Sequence, residues 1–172
     1  LAFTGDEENA FHRYSISLTD HGFMKILGLE TSCDETATAI VEDGTHVLGN
    51  VIASSKAAFE RSRGVIPEEA ARQQVTCILP VIEQTMSAAG IQAAGLDAIA
   101  VTHGPGLLGS LLVGTTTARA LASLWGKPLM GIHHTLGHLS STWLELDEDI
   151  AFPVLTLSAS GGHTELWLRT SH

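Results

Sequence analysis

Two histidines in the second half of the chain have the spacing of a metal-binding pair. His134 and His138 lie four residues apart in the stretch IHHTLGHLS, and residues at this spacing on a helix share one face, about 5–6 Å apart at Cβ. Both rings could therefore bind one ion, although capping or packing histidines are the alternative. Zinc proteases of the H-E-x-x-H type use a glutamate beside the first histidine to deprotonate water. Thr135 occupies that position here, which argues against peptide hydrolysis.

Two histidines are too few ligands for a complete site. Iron and zinc sites generally use three or more protein ligands, so we expect a third, a carboxylate, from a lobe beyond residue 172. A metal without an adjacent base can still act as a Lewis acid towards a carbonyl or carboxylate oxygen. Of the neighbouring histidines, His133 is expected to face away, whereas His163 follows a glycine turn and is placed to touch a ligand.

The segment GPGLLG, Gly104–Gly109, has the spacing of a dinucleotide-binding loop between a strand and a helix. The match is weak, because the acidic residue that binds a ribose hydroxyl about 20 positions further on is absent. Ser110 also stands where a phosphate-binding loop has its lysine. Two interpretations stay open: backbone amides that face an anion, or close packing of a helix on the sheet.

Two further turns could face a ligand. In SASGGHT, Ser158–Thr164, a tight hairpin is predicted at Gly161 and Gly162, whose backbone amides could approach a phosphate or carboxylate. In SCDET, Ser32–Thr36, the turn carries Asp34 and Glu35. Two such turns aimed into one cleft would form a nucleotide-type site. An ordinary hairpin and ordinary turn chemistry are the alternatives.

The elements that must position these residues alternate between strands and helices. Hydrophobic periodicity, the Asp43-Gly44 turn, and helix-start and helix-stop signals predict the order β-β-β-α-β-α-β-α. The predicted strands are Ile26–Glu30, Thr38–Val41, Val47–Ala53, Ala98–Thr102 and Leu129–Ile132, and the predicted helices are Pro67–Ala89, kinked at Pro80, Ser110–Trp125 and His134–Leu144.

The chain contains an internal repeat. LGLETSCDET, Leu27–Thr36, aligns with LTLSASGGHT, Leu155–Thr164, with the same residue at four positions. Both segments open a hairpin, which indicates a repeated lobe. We therefore predict a complete lobe over 24–150 and the start of a truncated second lobe over 151–172. Residues 1–23 have no sustained period of two or of 3.6 residues, and we predict a non-native or disordered extension there.

Composition excludes several classes of protein. The net charge is −10, from nine Lys and Arg against 19 Asp and Glu, so the chain alone is a poor candidate for nucleic-acid binding. The one basic cluster, Arg61, Arg63 and Arg72, is typical of a solvated surface. The most apolar window contains Arg119 and polar residues, so no membrane span is predicted. Two cysteines, Cys33 and Cys77, and no signal peptide indicate the cytoplasm.

Five motifs, in order, resemble those of the tRNA N6-adenosine threonylcarbamoyltransferases, formerly called glycoproteases. They are LGLETSCDETATAI, GVIPEEAARQQV, VTHGPGLLGSLLVGTTTARALA, HHTLGH and SASGGHTEL, and together they extend from Met24 to Leu168. The resemblance implies an α/β fold of the duplicated actin-like ATPase (ribonuclease H-like) type, with one complete lobe and the first hairpin of the second.

The resemblance also implies an activity: transfer of a threonylcarbamoyl group from threonylcarbamoyl-AMP to N6 of the adenine 3′ of a tRNA anticodon. His134 and His138 resemble two ligands of its Fe²⁺ or Zn²⁺, and Asp34 and Glu35 resemble acidic residues that position groups or transfer protons. The substrate-binding turn corresponds to Ser158, Ala159, Ser160, Gly161 and Gly162. The implied partners are tRNA, a smaller actin-like paralogue and an ATPase, and no membrane is involved.

The chain departs from the family pattern at a few positions. Leu136 replaces a glutamate of H-x-E-G-H, and Arg63, Glu69 and Gln74 replace a glycine, a leucine and a histidine. We expect the 172-residue chain alone to lack transferase activity and to bind metal weakly. A noncatalytic scaffold paralogue, which should lack the histidine pair, and an actin-like small-molecule kinase are the alternative functions.

Overall fold

The computed structural model describes residues 23–54, 64–146, 150–160 and 164–171. The predicted extension lies outside the described residues apart from Phe23. The same holds for Arg61 and Arg63 of the basic cluster, and for Gly161, Gly162 and His163 of the second turn.

The predicted order of strands and helices is confirmed and is followed by a hairpin. The strands are β1 (Lys25–Glu30), β2 (Glu35–Glu42), β3 (His46–Ser54), β4 (Ala98–Gly104), β5 (Leu129–His133), β6 (Val154–Ala159) and β7 (Thr164–Arg169). The helices are α1 (Pro67–Ala89), α2 (Leu108–Trp125) and α3 (His134–Ser140), with 3₁₀ turns at Ala93–Gly95 and Ser141–Trp143.

Five strands form one mixed sheet in the order β3-β2-β1-β4-β5. The first three strands are an antiparallel meander, whereas β4 runs parallel to both β1 and β5. The carboxyl ends of β1, β4 and β5 therefore meet at one edge of the sheet, where ligands bind in open α/β sheets. The turn after β1, the glycine loop after β4 and the histidines after β5 all lie at this edge.

Helices α1 and α2 cover one face of this sheet. Leu27 and Ile99 point from β1 and β4 into the core and are fully buried with Ile40, and Ile78 of α1 and Ala118 of α2 pack against them. Helix α1 begins at Pro67, continues through Pro80 and ends at Ala89, and it is capped by Gly90, whose φ is 66°. Its predicted bounds are confirmed.

The third helix is shorter than predicted. The expected helix His134–Leu144 ends at Ser140 and tightens into a 3₁₀ turn. The Ser141 hydroxyl donates to the His138 carbonyl at 2.7 Å, and the Thr142 hydroxyl donates to Leu139 at 3.1 Å. Hydroxyl-to-carbonyl bonds of this kind can weaken a helix, but Thr115 makes one to Leu111 at 2.7 Å inside α2, so they do not account for the early end by themselves. Helix α2, in contrast, starts two residues before the predicted Ser110.

The last two strands, β6 and β7, form a separate antiparallel hairpin. The internal repeat predicts this hairpin, but the domain boundary at residue 150 stays a prediction. None of the helices in the described part of the chain has the length and hydropathy needed to span a bilayer.

Candidate functional site

The two histidines of α3 point at each other. His134 is the first residue of the helix and His138 lies one turn later, and their Nε2 atoms are 3.0 Å apart. The ring planes make an angle of 76° with centroids 4.4 Å apart. Two nitrogens bound to one ion at about 2.0–2.1 Å are separated by roughly 2.9–3.4 Å for right-angle to tetrahedral geometry. The pair therefore fits two ligands of one metal ion, and it equally fits a direct hydrogen bond.

A third protein ligand is not present at this point of the described structure. Among residues 23–54, 64–146, 150–160 and 164–171, no cluster of three or more His, Cys, Asp or Glu side chains could hold a metal ion. The imidazole donors suit Fe²⁺ and Zn²⁺ alike. Two imidazoles are fewer donors than iron and zinc sites generally use.

Glu30, the last residue of β1, lies beside His134. One oxygen of its carboxylate accepts the Ser32 backbone N–H at 2.6 Å, and the other accepts the Thr102 hydroxyl at 2.5 Å and lies 3.1 Å from His134 Nδ1. Burial raises the pKa of the Glu30 carboxyl, but hydrogen bonds from Ser32, Thr102 and His134 together hold it below its usual value. Glu30 is therefore a carboxylate at neutral pH.

The acidic turn between β1 and β2 is held by hydrogen bonds from a buried side-chain amide of α1. Gln74 of α1 is fully buried, and its Nε2 donates to the carbonyls of Cys33 at 3.0 Å and Glu35 at 2.9 Å, on either side of Asp34. Thr31 fixes the start of the turn by donating to the Ser110 carbonyl at 2.8 Å. The turn thus presents the side chains of Asp34 and Glu35 from a rigid base.

The thiol next to these carboxylates is not an activated nucleophile. Cys33 is exposed, but partial burial of its sulfur and the neighbouring Asp34 carboxylate raise the pKa of the thiol above its ordinary value. Because the thiolate is the reactive form of cysteine, Cys33 is mostly unreactive at neutral pH.

The glycine loop packs against the acidic turn. A Cβ on Gly106 would lie 2.4 Å from the Ser32 carbonyl oxygen, and in the helix that follows the loop one on Gly114 would lie 2.3 Å from Thr31 Oγ1. The Leu107 amide donates to Ser32 O at 2.7 Å. These contacts favour the packing interpretation of GPGLLG over anion binding, because glycine is needed there for close approach of protein backbone.

One cavity of about 540 Å³ unites most of the predicted site residues. It is lined by Glu30, Ser32, Cys33, Asp34, Glu35, Ala37, Pro105, Gly106, Leu107, His134, His138 and Ser160. Ser158 and Ala159 belong to β6, which leads into this cavity, but are not part of its lining. His133 lies away from the cavity and faces the ring of His103, with centroids 6.4 Å apart.

The hairpin is attached to the segment after α3 by an arginine that lies over two stacked aromatic rings. The Arg169 guanidinium of β7 lies 4.4 Å from the centre of the Trp143 ring and 5.9 Å from that of Phe152, and Trp143 stacks on Phe152. Arg169 Nη1 also donates to the Leu139 carbonyl at 3.4 Å. This attachment holds Ser160 next to the histidine helix.

Comparison with known proteins identifies the family. A family model described as tRNA N6-adenosine threonylcarbamoyltransferase matches residues 46–171. The chain belongs to this family. Relatives that carry the same name are 51% identical over 154 residues in Thermomicrobium roseum and 49% identical over 149 residues in Bacillus subtilis. Each match covers 87% of this chain, which spans 42% of the length of the relative.

A solved structure supports the fold. A crystal structure of an uncharacterized protein with similarity to peptidase YeaZ from Pseudomonas aeruginosa matches with a TM-score of 0.51 and 18% sequence identity, over 84% of this chain and 63% of that one. Together with the strand order, this likeness confirms the α/β class and the actin-like, ribonuclease H-like lobe that the family resemblance implies.

Sequence reasoning missed Glu30, Gln74 and Thr102. The sequence did contain a signal for Glu30, because this residue ends a predicted strand. The strands before the glycine loop and before the histidines run parallel to it, and the carboxyl ends of parallel strands lie at one edge of the sheet. Gln74 stands out in the sequence only as the replacement of a family histidine, and its burial was not expected because a polar residue on an amphipathic helix is usually exposed.

Proposed function

We propose that the chain forms part of an enzyme that transfers a threonylcarbamoyl group from threonylcarbamoyl-AMP to N6 of the adenine 3′ of the anticodon in tRNA. In this reaction the adenine amine forms a bond to the carbamoyl carbon. The bond from that carbon to the phosphate oxygen breaks, AMP leaves, and the amine loses a proton. The nucleophile comes from tRNA, so no nucleophilic side chain is required.

In this proposal His134 and His138 hold Fe²⁺ or Zn²⁺ through their Nε2 atoms. A third ligand comes from a region equivalent to the part of the relatives that lies outside the match with this chain. When bound, the metal would supply Lewis-acid polarisation of the donor. Thr135 can stand where a protease has glutamate, because the site has no need to generate hydroxide.

Two turns handle the substrates. We assign Ser158, Ala159, Ser160, Gly161 and Gly162 to binding the donor through backbone amides and hydroxyls, which suit phosphate or carboxylate groups. Asp34 and Glu35 orient the acceptor amine and take up its proton. These carboxylates suit that role because Gln74 holds the backbone on both sides of Asp34.

The tRNA requires positive charge that this chain does not provide, since its net charge is −10. We propose that partner proteins, a smaller actin-like paralogue and an ATPase, contribute the basic surface. A tRNA substrate also implies a cytoplasmic location.

The observation that supports the proposal best is the shared cavity. His134, His138, Asp34, Glu35 and Ser160 come from three separated segments of the chain and line the same cavity of about 540 Å³. The 51% identity to a relative of that name favours the transferase over a scaffold paralogue or a kinase.

The test measures modified adenosine in tRNA by mass spectrometry of digested nucleosides. The protein is expressed from its complete coding sequence and supplied with its partners, threonylcarbamoyl-AMP and unmodified tRNA. Loss of Lewis-acid stabilisation worth several kcal/mol predicts that His138→Ala lowers the rate by about 100-fold or more. The control His103→Ala changes a histidine outside the cavity, and we expect the rate of tRNA modification to equal that of the unaltered protein. Unchanged turnover in His138→Ala would contradict the proposal.

A further inference from the structure

Glu30 contacts three elements that converge at the cavity. It ends β1, binds the Ser32 amide of the turn that follows, accepts the hydroxyl of Thr102 in β4, and faces His134 at the start of α3. Its two oxygens are thus fixed by donors from both sides. Helix α3 itself provides no carboxylate for this role, since its sequence HTLGHLS contains no acidic residue.

The geometry restricts where the hydrogen of the His134 ring can be. Its Nδ1 lies 3.1 Å from a Glu30 oxygen that already accepts the Thr102 hydroxyl, and 3.1 Å from the Ser32 hydroxyl oxygen, which can donate or accept. An unprotonated Nδ1 could accept from Ser32, but it would place its lone pair against those of the Glu30 oxygen. An Nδ1–H can bond to either oxygen, so the contact with Glu30 favours the hydrogen on Nδ1, with the Nε2 lone pair facing His138.

We infer that Glu30 is a positioning residue that holds His134 in the Nδ1–H form, with its Nε2 lone pair directed at the point shared with His138 Nε2. A carboxylate that binds the far nitrogen of a metal-ligating histidine fixes the tautomer and the ring orientation and makes the ligand more basic. Thr102 acts on His134 indirectly, because its hydroxyl donates to the Glu30 oxygen that faces His134. This inference rests on the proposed metal site at His134 and His138.

The inference is tested on the 172-residue chain with two measurements. Long-range ¹H–¹⁵N spectra of the metal-free protein report the His134 tautomer, with His134→Gln used to assign its signals. Competition with a chelating dye reports the affinity for Zn²⁺. We expect the Nδ1–H tautomer in the unaltered chain, and a loss of that preference in Glu30→Ala.

The affinity for Zn²⁺ should fall by about 10–100-fold in Glu30→Ala, as for other partners of metal-ligating histidines. Glu30→Gln retains a carbonyl acceptor, so its affinity for Zn²⁺ should fall less. Thr102→Val should have the smallest effect on that affinity. The control Glu42→Gln removes a carboxylate from the neighbouring strand, where it pairs with Lys25 at 2.9 Å, and should change neither measurement. Circular dichroism checks that each variant is folded. If Glu30→Ala is unfolded, Thr102→Val provides the test of the inference.

Two outcomes separate the inference from the proposed function. Unchanged Zn²⁺ affinity in His138→Ala would contradict the proposed metal site and therefore the inference that rests on it. A loss in His138→Ala, together with an unaltered tautomer and affinity in folded Glu30 variants, would overturn only the role of Glu30.

Discussion

The sheet lobe, β1–β5 with α1–α3, and the β6–β7 hairpin begin with similar residues but bury them differently. Leu27 and Leu29 of β1 are 0% and 3% exposed, whereas their repeat counterparts Leu155 and Leu157 of β6 are 63% and 66% exposed. The alternating strand pattern is the same in both. The difference is that α1 and α2 cover the first strand, and no described element covers that face of the hairpin.

This comparison separates two contributions to the site. The sequence repeat begins with a strand in both regions. The contacts that hold the two regions differ: Gln74, Thr31 and Gly106 hold the acidic turn, while Arg169 and the Trp143–Phe152 stack hold the strands of the hairpin.

The largest expected difference between the regions is in the stability of matched leucine variants. Leu27→Ala removes a fully buried side chain from the core and should lower the free energy of unfolding by about 2–5 kcal/mol. Leu155→Ala, at the equivalent repeat position, should change it by less than about 0.5 kcal/mol, because exposed sites contribute little. Urea unfolding of the 172-residue chain measures both. Equal losses would show that the hairpin is packed as tightly as the sheet.

The second test concerns the joint between the glycine loop and the acidic turn. Gly106→Ala would place a Cβ 2.4 Å from a backbone oxygen of Ser32 that cannot move away cheaply, and we expect a loss of about 1–3 kcal/mol. Gly137→Ala is the matched control within α3, where a Cβ has nothing within 4 Å. There the substitution should stabilise the helix by up to about 1 kcal/mol. Thermal unfolding that ranks the two variants in the opposite order would contradict the packing role of the loop.

The smallest expected effect concerns the attachment of the hairpin. Arg169→Ala removes a cation that lies over the Trp143 ring, an interaction worth about 0.5–2 kcal/mol. Hydrogen exchange should become faster at the amides of β6 and β7 and stay unchanged in β1–β5. Arg119→Ala, a change at an exposed arginine of α2, is the control. Uniformly faster exchange in the Arg169 variant would mean that the two regions unfold together.

The fold was predictable from the sequence because its signals are local. Strand alternation, the Asp43-Gly44 turn, Pro67 at a helix start and Gly90 at its end each act within a few residues, and the helix bounds at α1 agree with them. The end of α3 was missed because hydrophobic periodicity does not distinguish an α-helical turn from the 3₁₀ turn Ser141–Trp143 that follows it.

The candidate site was predictable in part. Residue type and spacing select His134 and His138, and turn chemistry selects Asp34 and Glu35. The contacts that hold them join residues far apart in the chain, as between Glu30 and His134 or between Gln74 and the acidic turn. Such pairs follow from strand order and helix placement, which composition and spacing do not specify.

The proposed function requires a metal site at the histidine pair that faces the two turns. Paramagnetic NMR with Co²⁺, which accepts imidazole ligands, tests this site most directly. We predict that Co²⁺ shifts or broadens the amide signals of Asp34, Glu35 and Ser160 in the 172-residue chain. It should spare Asp43 and Asp97, which lie at the opposite end of β1, roughly 20 Å away for a strand of this length. These effects should disappear in a His134→Ala, His138→Ala double variant. Effects that persist in that variant, or that centre on Asp43 and Asp97, would contradict the account.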